Sequence, residues 1–140
     1  MKKFFTDLIL LILMLLILIG CNKQEAGSPI EVINLNTEYM TKEDISGVEI
    51  TLDKDNPDFE QSMKMVKLLF DTYDLDYKIE SLETVEQNEN EAQIKFVQLT
   101  TKISGPEFRD NRFTGIHTLK KKSDGWKILS TKQLNIEFLD

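Results

Sequence analysis

The spacing of apolar residues changes period once along this chain, near Asp74, and that change constrains the fold more than any other feature. Before it, apolar side chains recur three and four residues apart; after it, they alternate. Phe59, Met63, Val66 and Phe70 fall at i, i+4, i+7 and i+11, flanked by Leu69 and Tyr73, which predicts an amphipathic helix with one apolar face. Asn56 is placed to cap that helix, Pro57 suits its first position, and Asp58 favours the positive end of its dipole. Upstream, Ile30, Ile33, Thr37 and Met40 keep helical spacing over residues 30–40. Thr41-Lys42-Glu43-Asp44 then resembles a capping box with Asp in its last position, predicting a short helix through Ile45 and Val48 to Leu52.

Downstream the alternation predicts four strands. Tyr77 and Ile79 alternate with Lys78 and Glu80 in a strand running to about Glu86, and residues 87–90 form a polar turn. Ala92, Ile94 and Phe96 alternate in a second strand. At Phe96–Val97 the apolar set crosses to the other parity, continuing with Val97, Leu99 and Ile103, and this slip predicts a bulge or a strong bend that curves the sheet. Ser104 to Asn111 is a polar connection, Arg112 to Lys122 a third strand, and Ser123-Asp124-Gly125 a hairpin turn. Trp126, Ile128, Leu134, Ile136 and Phe138 share one parity in a fourth strand. Helices followed by an antiparallel meander make an α+β domain, with N-terminal helices packed on a curved four-stranded sheet.

The first residues carry a different signal. Lys2 and Lys3 precede an unbroken run of Leu, Ile and Met from Leu8 to Ile19. At a rise of ~1.5 Å per residue this dozen spans about 18 Å, short of the ~20 apolar residues that cross a bilayer. Extending it back to Phe4 would include Asp7, a costly carboxylate. The layout is that of a secretory signal. It ends Leu18-Ile19-Gly20-Cys21, which resembles the lipobox of bacterial lipoproteins. That resemblance implies cleavage between Gly20 and Cys21, a diacylglyceryl group on the Cys21 thiol, and a domain held on the extracytoplasmic face of the cell membrane. Two acyl chains suffice for stable anchoring where one does not. Residues 1–20 would then be the signal peptide and residues 21–29 a polar tether containing Gly27, Ser28 and Pro29. The working domain would occupy residues 30–140.

Cys21 is the sole cysteine, so no internal disulfide forms, and His117 is the sole histidine. This leaves no transition-metal site of the His/Cys kind, and no acidic loop has the spacing of a calcium site. No cofactor motif is present. Without residues 1–20 the chain keeps fifteen basic and twenty-three acidic residues, a formal charge of −8. Such a surface repels phosphate backbones and excludes nucleic acid as a partner.

Three stretches carry a second resemblance: residues 39–45 (Tyr-Met-Thr-Lys-Glu-Asp-Ile), the long helix from Pro57, and Leu119 to Ile128 with its Asp-Gly turn and Trp-x-Ile. In that order they resemble the nuclear-transport-factor-2-like (cystatin-like) domains over roughly residues 30–139. The resemblance implies a cone-shaped fold whose mouth can be a pocket. Some members are acid-base isomerases or dehydratases, and others only bind. An acid-base site would use His117 as base with Tyr39 or Tyr73. Glu107, Arg109, Asp110 and Arg112 cluster before the third strand, and two arginines could clamp an anionic group bidentately. No complete catalytic set stands out. The sequence therefore favours a lipid-tethered, non-enzymatic module that binds an envelope protein or a small ligand. The acid-base enzyme is the alternative, and homodimerisation a further possibility.

Overall fold

The structure, a computed structural model, describes residues 27–139. The signal segment, Gly20 and Cys21 lie outside the described residues.

Three helices precede four strands, in the order predicted. Helix α1 (Pro29–Thr41) begins earlier than the 30–40 pattern suggests, because Ser28 caps it. The Ser28 hydroxyl accepts the Glu31 N–H at 3.2 Å, and Pro29 sits at the first position. Ser28 and Pro29 thus belong to the domain rather than to the tether. The helix ends in a Schellman turn: the Glu43 N–H donates to Met40 O and the Asp44 N–H to Tyr39 O at 2.9 Å, with Glu43 left-handed at φ 54°. That break moves the next start. Asp44, not Thr41, caps helix α2 (Ile45–Thr51), accepting the Gly47 N–H at 2.9 Å. Thr41 turns instead to the sheet, where its hydroxyl meets both backbone groups of Tyr77.

Helix α3 (Phe59–Thr72) starts two residues after Pro57. Asn56 is drawn into a turn ahead of it. Its side-chain oxygen accepts the Asp58 N–H at 2.9 Å, and its amide donates to Leu129 O at 2.7 Å, tying the linker to the sheet.

Strands β1 (Asp74–Gln87), β2 (Glu91–Ser104), β3 (Asn111–Lys122) and β4 (Gly125–Phe138) form one antiparallel sheet in sequence order. The slip expected at Phe96–Val97 does not add a residue to β2; the extra residue stands across from it, Glu80 of β1, between the pairs Ile79↔Gln98 and Ser81↔Val97. β2 pairs with β3 without a shift from Glu91↔Lys120 to Thr100↔Asn111. Val97 and Leu99 lie, half-buried, on the opposite face from Phe96, so β2 is apolar on both sides. The register shifts skip Glu80 and Val85 in β1, Ile103 in β2, and Leu129 and Leu134 in β4. The two in β4 offset each other, so Ile136 and Phe138 return to the face of Trp126 and Ile128 and only Leu134 falls out of step; Trp126 and Ile128 are buried, whereas Ile136 and Phe138 are 37% and 49% exposed.

The main core joins Val32 and Ile33 of α1 to Ala92, Ile94, Leu119, Trp126 and Ile128 of the sheet. Each such aliphatic side chain contributes roughly 1.5–3 kcal/mol by burial. A smaller cluster of Val48, Phe59 and Met63 joins α2 to α3. The segment after α2 fastens the two layers, since Leu52 bridges in parallel to Ile128 and the Asp53 N–H donates to Ile128 O at 2.9 Å.

Candidate functional site

His117 lies on the helix-facing side of the sheet, opposite Ile94 in β2 and Thr131 in β4. Its ring stacks on Phe96 with centroids 4.0 Å apart and planes 4° off parallel. Its Nδ1 lies 2.8 Å from Thr131 Oγ1. Burial pushes the imidazole pKa down to about 4. A ring that holds protons so poorly is a weak general base at neutral pH. The tyrosines expected beside it have other partners. Tyr39 packs on Gly47 so closely that a Cβ there would stand 2.3 Å from its ring. Tyr73 tilts against Phe108, centroids 5.4 Å apart. The three groups of the acid-base reading are not assembled.

The charged loop before β3 does not make a clamp either. Arg109 lies over the Phe138 ring at 4.8 Å. Asp110 closes the loop, its carboxylate accepting the Lys102 N–H and its carbonyl the Leu139 N–H, both at 2.8 Å. Glu107 is exposed. Arg112 belongs to the strand, where neighbouring side chains point to opposite faces. Asn111 pairs with Phe138 and Arg112 with Glu137, so Arg112 stands on the outer face while Arg109 follows Phe138 on the inner. The Arg112 guanidinium donates to Glu80 at 2.6 Å and Glu137 at 3.0 Å. Its hydrogen bond holds the Glu80 carboxyl below the usual carboxylate range. Arg112 is engaged by protein carboxylates, not presented to a ligand.

A third place, around Asp53, carries no signal in the sequence. This carboxylate is only 2% exposed. Its Oδ1 accepts from the Asp55 N–H at 3.0 Å and faces Lys122 Nζ at 3.2 Å, while Lys122 reaches Asp55 more closely, at 2.6 Å. Asp53 Oδ2 is the one buried side-chain oxygen without a partner among the described residues. Asp53 borders two hollows. One, of about 340 Å³, is lined by charged residues that include Lys122, Asp124 and Lys127. The other, about 360 Å³, lies between the helices and β4 and is walled by Met40, Val48, Phe59, Val66 and Thr131. Asp53 sits in a linker that looks solvated in sequence, and its partner Lys122 lies at the far end of β3, so no local pattern pointed to the pair.

Similarity to known proteins bears on these alternatives. Solved structures share the fold at low identity. A cystatin-like-fold protein from Nostoc punctiforme is 12% identical, with 77% of this chain and 87% of that one covered at a TM-score of 0.63. A nuclear-transport-factor-2-like protein from Pseudomonas putida is 8% identical, with 74% and 81% covered at 0.63. A ketosteroid isomerase-like protein from Erwinia carotovora atroseptica is 16% identical, with 81% and 98% covered at 0.57. They establish the nuclear-transport-factor-2-like α+β fold, and fold alone does not assign chemistry. The anti-sigma-I factor RsgI9 of Acetivibrio thermocellus is 35% identical over 74 residues, which are 53% of this chain and 10% of that protein. The chain thus spans about a tenth of the length of the curated relative it matches. This relationship overturns the reading as a generic lipoprotein binding module. Residues 31–139 match the C-terminal domain of anti-sigma-I factor RsgI9, and the chain belongs to that family.

Proposed function

We propose that this chain is a regulatory domain of the anti-sigma-factor kind, which acts by engaging another protein and performs no chemistry itself. The family match carries the reading, since it runs through nearly the whole helical layer and all four strands. The scattered His117, Tyr39 and Tyr73 support the non-catalytic part. A contact surface is offered where β4 ends. Ile136 and Phe138 are exposed there, and Arg109 lies on the Phe138 ring. Exposed aromatic and arginine side chains are frequent anchors of protein interfaces. The Gly20-Cys21 junction supports a location: loss of residues 1–20 and lipid attachment at Cys21 would display the domain on the outer face of the cell membrane.

The test is a transcriptional reporter for the host's sigma-I-type factor, read in three strains: wild type, a deletion of this chain, and Ile136→Ser with Phe138→Ser. Deletion is expected to change reporter output several-fold, and the double variant to behave as the deletion while folding normally by circular dichroism. Unchanged output on deletion would overturn the regulatory reading. A normal response from the double variant would move the contact surface away from the end of β4.

A further inference from the structure

We propose that two copies of this domain join through the free edge of β4, from Ser130 to Phe138, antiparallel about a two-fold axis, so that their sheets become one. This goes beyond the regulatory reading and stands without it.

The edge supplies the first argument. β4 ends the strand order, and the segment after α2 covers it only at its start. There the Asp53 N–H meets Ile128 O and the Asn56 amide meets Leu129 O. From Ser130 to Phe138 every residue is exposed. Because the Leu139 N–H bonds to Asp110 O, alternation turns the backbone of Glu137 and Asn135 toward β3 and that of Phe138 and Ile136 away from it. Carried along β3 past the shift at Leu134, the same alternation turns Thr131 and Gln133 to the free edge. These N–H and C=O groups meet no partner among the described residues. Such a row is a template for another strand.

Self-complementarity supplies the second argument and names the occupant. The shift at Leu134 brings Lys132 and Glu137, five residues apart, to the same outer face, opposite Ile116 and Arg112. Setting Lys132 of each copy against Glu137 of the other places Thr131 opposite Phe138 and Gln133 opposite Ile136. Edge-facing backbone then meets edge-facing backbone, and two Lys132–Glu137 contacts form, one on each side of the axis. Lys132 has no carboxylate partner of its own among the described residues. Glu137, held by Arg112 at 3.0 Å, keeps 55% of its side chain exposed. Ile136 and Phe138 gain cross-strand neighbours on the inner face. A slip of one residue would turn inner side chains outward, and a slip of two would lose both charge pairs. The other edge of the sheet does not offer this. β1 carries Glu80, Glu83 and Glu86, which would set like charges against each other.

Sedimentation equilibrium of the purified chain in density-matched detergent, from micromolar to millimolar concentration, tests the pairing. A monomer–dimer equilibrium is expected. Lys132→Glu and Glu137→Lys should each weaken it about fivefold or more, and the two together should restore it. Both positions lie on the outer face, so the test leaves Ile136 and Phe138 in place. Amide exchange at Ile136 and Phe138 should slow as the dimer forms. The proposal is overturned if the chain stays monomeric throughout, or if either single reversal leaves the dimer unchanged. It is also overturned if the double reversal fails to restore the dimer, or if those two amides exchange alike in monomer and dimer.

Discussion

His117 is the only imidazole in the chain, so its titration can be followed without ambiguity by NMR. Burial lowers its folded-state pKa from 6.5 to about 4. Above pH 6.5 the ring is neutral in both folded and unfolded chains and adds no pH dependence. As pH falls from 6.5 toward 4 the unfolded chain takes up a proton that the folded chain resists, and stability is lost across that window. The ceiling is about 3 kcal/mol, reduced by solvent reaching a half-buried ring. Urea denaturation at pH 7 and pH 4.5 should therefore show a smaller loss for His117→Phe than for wild type; equal losses would show that the ring is not desolvated. Arg112 permits a second residue-scale test with the opposite charge. Replacing it by Gln removes the hydrogen bond that depresses Glu80, whose pKa should climb back toward the ordinary carboxylate value in a side-chain NMR titration. No movement would mean the pair is not formed in solution. Neither environment was readable in advance. The sequence offers His117 and Arg112 as free chemistry, and only cross-strand pairing shows that Phe96, Thr131, Glu80 and Glu137 occupy them.

At the scale of elements, the Schellman turn after α1 places Glu43 at the left-handed position where glycine is the usual residue. A side chain there costs roughly 1–2 kcal/mol of backbone strain. Glu43→Gly should raise stability by about 1 kcal/mol in denaturant titration, the gain in the folded turn exceeding the added freedom of the unfolded chain. Burial pushes the Tyr77 hydroxyl pKa up to about 12 and the Glu43 charge adds to it, so without that charge the pKa should fall slightly. A destabilised variant would contradict the turn geometry. Gly115 poses the reverse case in β3. An added Cβ would meet the Phe113 ring at 2.8 Å and Lys132 O at 2.9 Å, so Gly115→Ala should cost about 1–3 kcal/mol by overcrowding. An unaffected midpoint would show that β4 yields there. These elements were legible in the sequence where the signal was local. The helix through Met63 and Val66, the Asp-Gly hairpin and the strand order follow from period and turn chemistry. Which strand carries each bulge was not legible. A strand with apolar residues on both faces, like β2 with Phe96 and Val97, gives the same pattern as one that slips. The real shifts at Glu80 and Leu134 depend on neighbours far away in the chain. The helix starts were missed for a similar reason, since Asp44 and Thr41 compete for one cap and the αL break at Glu43 decides between them.

For the whole molecule, the balance of charge bears on how the domain is held at a membrane. A formal charge of −8 beyond Gly20 opposes attraction to anionic headgroups, so residence on the membrane would rest on the N-terminal segment and not on the surface of the domain. Two routes to that residence make different predictions. If residues 1–20 are removed and Cys21 carries a diacylglyceryl group, the apolar effect holds the chain and salt has little influence. Membrane-fraction protein should then withstand high-salt washing, and its intact mass should show loss of residues 1–20 with gain of the lipid. Cys21→Ser should abolish both changes and keep residues 1–20 attached. If wild-type protein instead retains residues 1–20 without lipid, and Cys21→Ser fractionates with it, the apolar run is itself the anchor. That outcome would refute lipidation while leaving the membership of residues 31–139 in the anti-sigma-I factor C-terminal family untouched. Recovery of wild type in the soluble fraction would remove the membrane from the proposal and place its protein partner in the same compartment as the sigma factor. The regulatory reading would then require direct contact with that factor, which co-purification of the two proteins would detect.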